Sequence, residues 1–159
     1  MIPALPMDDE RHMLEALRLA ERAAEVGEVP VGAVIVHEGR VIGRANNQVE
    51  ALHDATAHAE MIAITQAAEA LENWRLAGAE LYVTLEPCPM CAGALVLSRV
   101  ARIVYGADDP LAGACGTLFN IVNEKRLGHR IPVVKGVLGS RSSELLKSFF
   151  RARRNNPKP

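Results

Sequence analysis

Leu81-Tyr82-Val83-Thr84-Leu85-Glu86-Pro87-Cys88-Pro89-Met90-Cys91 runs from an apolar, β-forming stretch straight into a proline-flanked C-x-x-C. The run over 81–85 predicts a buried strand that ends at Glu86-Pro87, and prolines favour a helix start, so a helix is expected over 88–98. Cys88 and Cys91 then share one face of its first turn. Upstream, His58-Ala59-Glu60 opens an Ala-rich helix expected over 57–70, with Asp54 or Thr56 as its cap. Both candidate ligand pairs thus fall at helix N-termini, where unpaired N–H groups and the positive end of the dipole favour thiolates. One imidazole and two thiolates suit Zn²⁺, and three protein ligands leave a fourth position for water. Glu60 stands apart from the ligands, free to move protons. A thioredoxin-like dithiol also fits Cys88 and Cys91, but it does not account for the His58-Ala59-Glu60 upstream.

Working outward, helical spacing of Leu14, Leu17, Ala20 and Ala24 predicts an amphipathic opening helix over 8–24. Residues 31–36 and 41–45 read as strands of a hairpin turning at His37-Glu38-Gly39-Arg40. Further strands are expected over 103–105 and 133–137. A last helix over 142–154 carries Leu145, Leu146, Phe149 and Phe150 as its apolar face, and Trp74 is expected in the core. Strands interleaved with helices predict an α/β sandwich. The 159 residues suit a single domain with loose ends at 1–7 and 155–159. Hydrophobic residues make up 49% and charged ones 23%, with no apolar run long enough for a membrane helix. The start lacks a secretory signal, so a cytoplasmic protein without a membrane partner is expected. Three cysteines, an odd number, argue against a disulfide framework, and Cys115 reads as a small buried residue. A net charge of −1 carries no global footprint for nucleic acid. The cations Arg141, Lys147, Arg151, Arg153, Arg154 and Lys158, against the single acid Glu144, form a local cluster that reads either as an RNA surface or as a solvated helix end.

Three blocks carry a family resemblance: Glu28-Val29-Pro30-Val31-Gly32-Ala33-Val34, His53-Asp54-Ala55-Thr56-Ala57-His58-Ala59-Glu60, and Tyr82 through Cys88 and Cys91 to Ala94. They resemble the bacterial tRNA-specific adenosine deaminases, of the cytidine/deoxycytidylate deaminase superfamily, over nearly the whole chain. The H-x-E and P-C-x-x-C pair is the signature of zinc nucleobase deaminases. The resemblance implies a three-layer α/β/α cytidine-deaminase-like fold with a mixed sheet of about five strands. It implies one Zn²⁺ per subunit on His58, Cys88 and Cys91, with Glu60 as general acid/base in the hydrolytic conversion of adenosine to inosine at wobble position 34. Asn47 would hydrogen-bond the flipped base, and Val29 and Pro30 would wall its pocket. Asp109 would meet the RNA sugar, with Asp108 as the neighbouring alternative. Phe149, Arg151, Arg153 and Arg154 would engage the RNA. The implied partners are a tRNA anticodon stem-loop and a second copy in a homodimer, with no DNA.

Taken without the resemblance, Asn47 and Asp109 are ordinary turn residues, Val29 is core, and Glu60 is a carboxylate favoured at a helix start. Ala55, where the family usually has Pro, departs from the pattern, as do Gln48-Val49 and Gly128-His129-Arg130 in loops expected to touch RNA. These departures leave the ligands intact and bear on tRNA selectivity. Two rival readings share the ligand set. One is a deaminase of a free base or nucleoside; the other is a non-catalytic zinc module closed by Cys115 or His53.

Overall fold

Alternate residues of the central strands part to opposite faces of one sheet, and that parting builds the layers. The computed structural model describes residues 6–157, so residues 1–5 and 158–159 of the expected loose ends 1–7 and 155–159, and with them Lys158 of the basic cluster, lie outside the described residues. In chain order the elements are α1 (Pro6–Glu25), β1 (Gly32–His37), β2 (Arg40–Asn46), α2 (Val49–Leu52), α3 (Ala59–Leu71), β3 (Ala79–Leu85), α4 (Pro89–Leu97), β4 (Arg102–Ala107), β5 (Val133–Lys135) and α5 (Gly139–Asn155). The sheet order is β2-β1-β3-β4-β5. β1 runs antiparallel to β2 and β3, while β3, β4 and β5 are parallel. This is the expected mixed five-stranded α/β sheet.

Ala33, Ile35, Leu81, Val83, Ile103 and Tyr105 share a buried cluster with Ala59, Ala63 and Ala67 of α3 and Leu95 and Val96 of α4. The intervening Val34, Val36, Tyr82 and Val104 pack with Met13, Ala16, Leu17 and Leu19 of α1. Helix α1 lies so close to β1 that a Cβ on Gly32 would collide with the Ala16 carbonyl; on Gly43 of β2 it would sit 2.7 Å from the Ala63 carbonyl oxygen. The glycines let both helices approach backbone to backbone. The start of α1 is also tied down electrostatically. Arg102 donates to both Asp9 oxygens at 2.9 and 2.6 Å and to Glu80 at 2.6 Å, and the Tyr82 hydroxyl donates to Asp9 at 3.1 Å.

Strand directions decide where the site can form. The C-terminal ends of parallel β3 and β4 lie at the same edge as the start of antiparallel β1 and the end of β2, because Leu85 pairs with Ala107, Ala33 with Val83, and Gly32 with Asn46. Ligands of open α/β sheets bind beyond the carboxyl ends of parallel strands. The loops after β3 and β4, the segment before β1 and Asn47 therefore converge.

Several boundaries differ from expectation. Helix α1 starts at Pro6, and α5 starts at Gly139 and reaches Asn155, absorbing residues expected in loops or loose ends. β5 stops at Lys135 because Gly136 turns the chain with φ of 85°. The four-residue α2 and the short 3₁₀ turns Ile121–Asn123 and Lys125–Leu127 carry too little periodicity to be read from sequence. Trp74 is 57% exposed, not in the core, and the Arg75 guanidinium sits 4.3 Å from its ring centroid, a stacking that needs no burial. Phe150 is likewise exposed, because adjacent helical residues cannot both face the sheet; its ring meets Phe149 edge-on at 5.3 Å. Among the described residues, no helix is long and apolar enough to cross a membrane.

Candidate active site

His58 and Cys88 each occupy the residue just before a helix, not its first turn. His58 has extended backbone (φ −74°, ψ 151°) before α3, and Cys88 has the same (φ −75°, ψ 173°) before α4, whose first residue is Pro89. Proline at that position has no N–H to leave unpaired and its fixed φ suits the helix, so the helix begins after Cys88. Neither Asp54 nor Thr56 caps α3: Asp54 instead accepts the Thr56 N–H at 2.8 Å and its hydroxyl at 2.7 Å. Cys91 is the third residue of α4, within its first turn, and is fully buried.

His58 Nδ1 is 3.6 Å from the Cys88 Sγ and 3.5 Å from the Cys91 Sγ, and all three ligand atoms lie within 4.8 Å of one another. Bonds of about 2.3 Å to sulfur and about 2.0 Å to nitrogen, opened at a tetrahedral angle, give a nitrogen–sulfur edge of about 3.6 Å. Both nitrogen–sulfur edges therefore match those of a tetrahedral site. A hydrogen bond from Cys91 and the nearby His58 hold the Cys88 thiol down to about 4, whereas the bond to Cys88 and burial push Cys91 up. The hydrogen bond to Cys88 pushes the His58 imidazole up. A divalent cation among the three donors would hold both cysteines as thiolates. Among the described residues, Cys115 and His53 do not join this cluster: Cys115 is buried elsewhere, and His53 ends α2 in the left-handed region with φ of 50°. The closed zinc module has no fourth ligand from either.

His58 and Cys88 open onto a cavity of about 270 Å³, whose walls also include Val29, Asn47, Glu60, Asp109 and Arg153. That volume sits at the small end for a ligand site, fit for one ring system. Glu60, in the first turn of α3, is 4% exposed. Burial pushes its carboxyl above the ordinary carboxylate range, against the opposite pull of its own backbone N–H and of His58. Asn47 is buried. Its amide donates to the Val29 carbonyl at 3.4 Å and its Oδ1 accepts the Val49 N–H at 3.3 Å, so it braces the lip. Pro30 lies beside this wall without lining it. Asp109 lines the cavity and accepts the Leu111 and Ala112 N–H groups at 2.9 and 3.3 Å, whereas Asp108 is taken by the Tyr105 hydroxyl at 2.7 Å. The structure thus brings Asp109, not Asp108, to the pocket.

The sequence pattern of the MafB19-like deaminases matches residues 7–154. The tRNA-specific adenosine deaminase of Bacillus subtilis is 53% identical over 150 residues, covering 94% of this chain and 93% of that protein. This chain belongs to the tRNA-specific adenosine deaminase family. A solved structure from a study of A-to-I editing by tRNA:A34 deaminases is 46% identical with a TM-score of 0.83, covering 86% of this chain and 99% of that one. The guanine deaminase of Nitrosomonas europaea shares the fold at 25% identity and a TM-score of 0.77, covering 94% and 86%.

The terminal helix of this deaminase does not present its cations alike. Arg151 and Arg154 are exposed and away from the cavity. Arg153 is half-buried: it donates to the Gly27 carbonyl at 2.7 Å, its guanidinium lies 4.7 Å over the Phe149 ring, and it forms part of the pocket wall. Phe149 therefore serves the deaminase as a rest for Arg153. Two buried carboxylates escaped the sequence reading. Glu28 accepts the Glu50 and Ala51 N–H groups at 2.9 and 2.7 Å, and so holds the start of α2. Glu86 is 2% exposed beside Pro87. No local signal marks either; each looks like a surface acid until distant N–H groups close on it.

Proposed function

We propose that this chain is a zinc-dependent tRNA(adenine34) deaminase, hydrolysing wobble adenosine to inosine and ammonia with Glu60 as its proton-transfer group. The observation that carries this reading is the tetrahedrally spaced His58, Cys88 and Cys91 beside a buried Glu60 on one small cavity. Zinc, when bound there, supplies Lewis-acid activation of water. Glu60 takes one proton from the attacking water and passes it to the ring nitrogen, then carries the second, from the newly added hydroxyl, to the departing amine. Burial raises the affinity of the Glu60 carboxyl for protons, which suits a group that must take up a proton before passing it on. Asn47, already buried at the lip, meets the polar edge of the flipped base, and the hydrophobic Val29 meets its face. Pro30 stiffens the same wall, and Asp109 faces the sugar. A splayed anticodon loop presents unstacked bases, which a paired helix does not.

The decisive experiment is inosine formation in an A34 anticodon stem-loop by the purified protein, beside free adenosine, cytidine and guanine. Turnover of guanine with none of the RNA would move the chain to the free-base reading. Within the same assay, Arg154→Ala and Arg151→Ala raise KM a few-fold and each lowers the salt slope by about one, as lost phosphate contacts do. Arg153→Ala instead lowers kcat, because its bond to Gly27 fixes the pocket lip; an Arg153→Ala effect confined to KM and salt slope would make it a plain phosphate contact. The proposal extends to a cytoplasmic homodimer, following the family resemblance. Light scattering should return twice the 17.2 kDa chain mass, and a single-chain mass at micromolar concentration would refute the dimer.

A further inference from the structure

Glu86 is a buried carboxylate whose partners are not cations. Its Oε1 accepts the Asp109 N–H at 3.0 Å and the Thr117 hydroxyl at 2.5 Å; its Oε2 accepts the Cys115 and Thr117 N–H groups at 3.0 and 3.1 Å. Three backbone N–H groups and one hydroxyl, all from the loop after β4, thus replace the water a carboxylate would otherwise keep. The Gly113 backbone packs against the same carboxyl so closely that no side chain would fit there. The neighbouring backbone repeats the arrangement: the Glu86 N–H donates to the Ala107 carbonyl at 2.9 Å, and the Pro87 carbonyl accepts the Ala114 N–H at 2.9 Å. Two residues on comes Cys88.

We infer that Glu86 is a positioning residue: its carboxylate holds the 108–117 loop, and with it the pocket-lining Asp109 and Ala112, in fixed register with the Cys88 side of the metal site. The segment Glu86-Pro87-Cys88 supplies a ligand at one end and anchors the facing pocket wall at the other. The span between them is therefore set by one rigid stretch of chain instead of by loop packing. The role has a physical cause. A loop of ten residues closed only by its ends samples many conformations, and ordering it before the substrate arrives removes that cost from binding. A misplacement of about 1 Å at such a wall can cost about 100-fold.

The test rests on the tRNA deaminase reading and uses the whole zinc-loaded protein with the A34 stem-loop. Thr117→Val deletes the hydroxyl donor at an exposed position and keeps the shape; Thr117→Ser keeps the donor. Thr117→Val should raise KM about tenfold with kcat within about twofold and zinc content unchanged, and Thr117→Ser should restore the wild-type KM. Amide exchange at Asp109, Cys115 and Thr117 should quicken in Thr117→Val while α4 stays protected. Glu86→Gln turns an amide NH₂ toward N–H donors and should raise KM about 100-fold where it folds. Unchanged KM in Thr117→Val with wild type active on RNA would overturn the positioning role alone. Loss of zinc together with kcat would make Glu86 a support of the ligand helix instead. A wild-type protein silent on RNA would overturn the substrate assignment and this role with it.

Discussion

Glu60→Ala should keep its metal and lose inosine formation by at least about 10³-fold. The expectation follows from placement. Glu60 is buried in the first turn of α3, two residues after His58, and lines the same cavity as the ligands without belonging to them. One carboxyl serving several proton transfers leaves no substitute when it is removed, because Glu28, Glu86 and Asp109 of the cavity walls are committed elsewhere. Glu28 caps α2, Glu86 holds the loop and Asp109 bonds its own turn. Folding should survive the change, since alanine is the best helix former and deleting a desolvated carboxyl removes a cost. Glu60→Gln keeps the shape as well and should be equally inactive. Metal analysis, thermal melting and nucleoside chromatography of the product decide the matter; turnover above about a tenth of wild type would remove Glu60 from the proton-transfer role.

The second large effect is expected from the metal. Cys91→Ala, or chelation of the wild type, should abolish turnover and lower Tm by about 8–16 °C. Metal held at about 1,000 times its dissociation constant adds roughly 4 kcal/mol, and a chain of this size shifts by about 2–4 °C per kcal/mol. His58 and Cys88 are 30 residues apart and each precedes a different helix, so an ion among the three donors ties α3 to α4. The fold should persist without the ion, because the buried clusters on both faces of the sheet do not depend on it. An unchanged Tm with full activity in metal-free protein would refute a catalytic metal.

Several features were legible from residue order. Strands announced themselves as short apolar, β-forming runs, and the layers follow because Ala33 and Ile35 must face one way while Val34 and Val36 face the other. The ligands were legible because proline and local spacing put Cys88 and Cys91 at one helix start, and His58 at another. Even there the sequence placed Cys88 one step and His58 two steps too far into their helices. The differences between similar side chains were not legible. Arg153 reads like Arg151 and Arg154, yet it alone of the three finds a carbonyl, Gly27, 126 residues away. Asp108 and Asp109 are adjacent, and what separates them is that the Tyr105 hydroxyl takes one while the Leu111 and Ala112 N–H groups take the other.

The sequence by itself determined the chemistry, a soft three-ligand set with a detached carboxylate, together with the order of strands and helices. Both depend on residue type and short-range spacing, which covalent geometry carries directly. Only the tertiary structure decided which charged groups are exposed, which are fastened and which are buried: Arg153 against Gly27, Glu28 under α2, Glu86 inside the loop after β4. Those outcomes turn on hydrogen bonds between segments far apart in the chain. A buried carboxylate or guanidinium is tolerable only where folding has already delivered its partners.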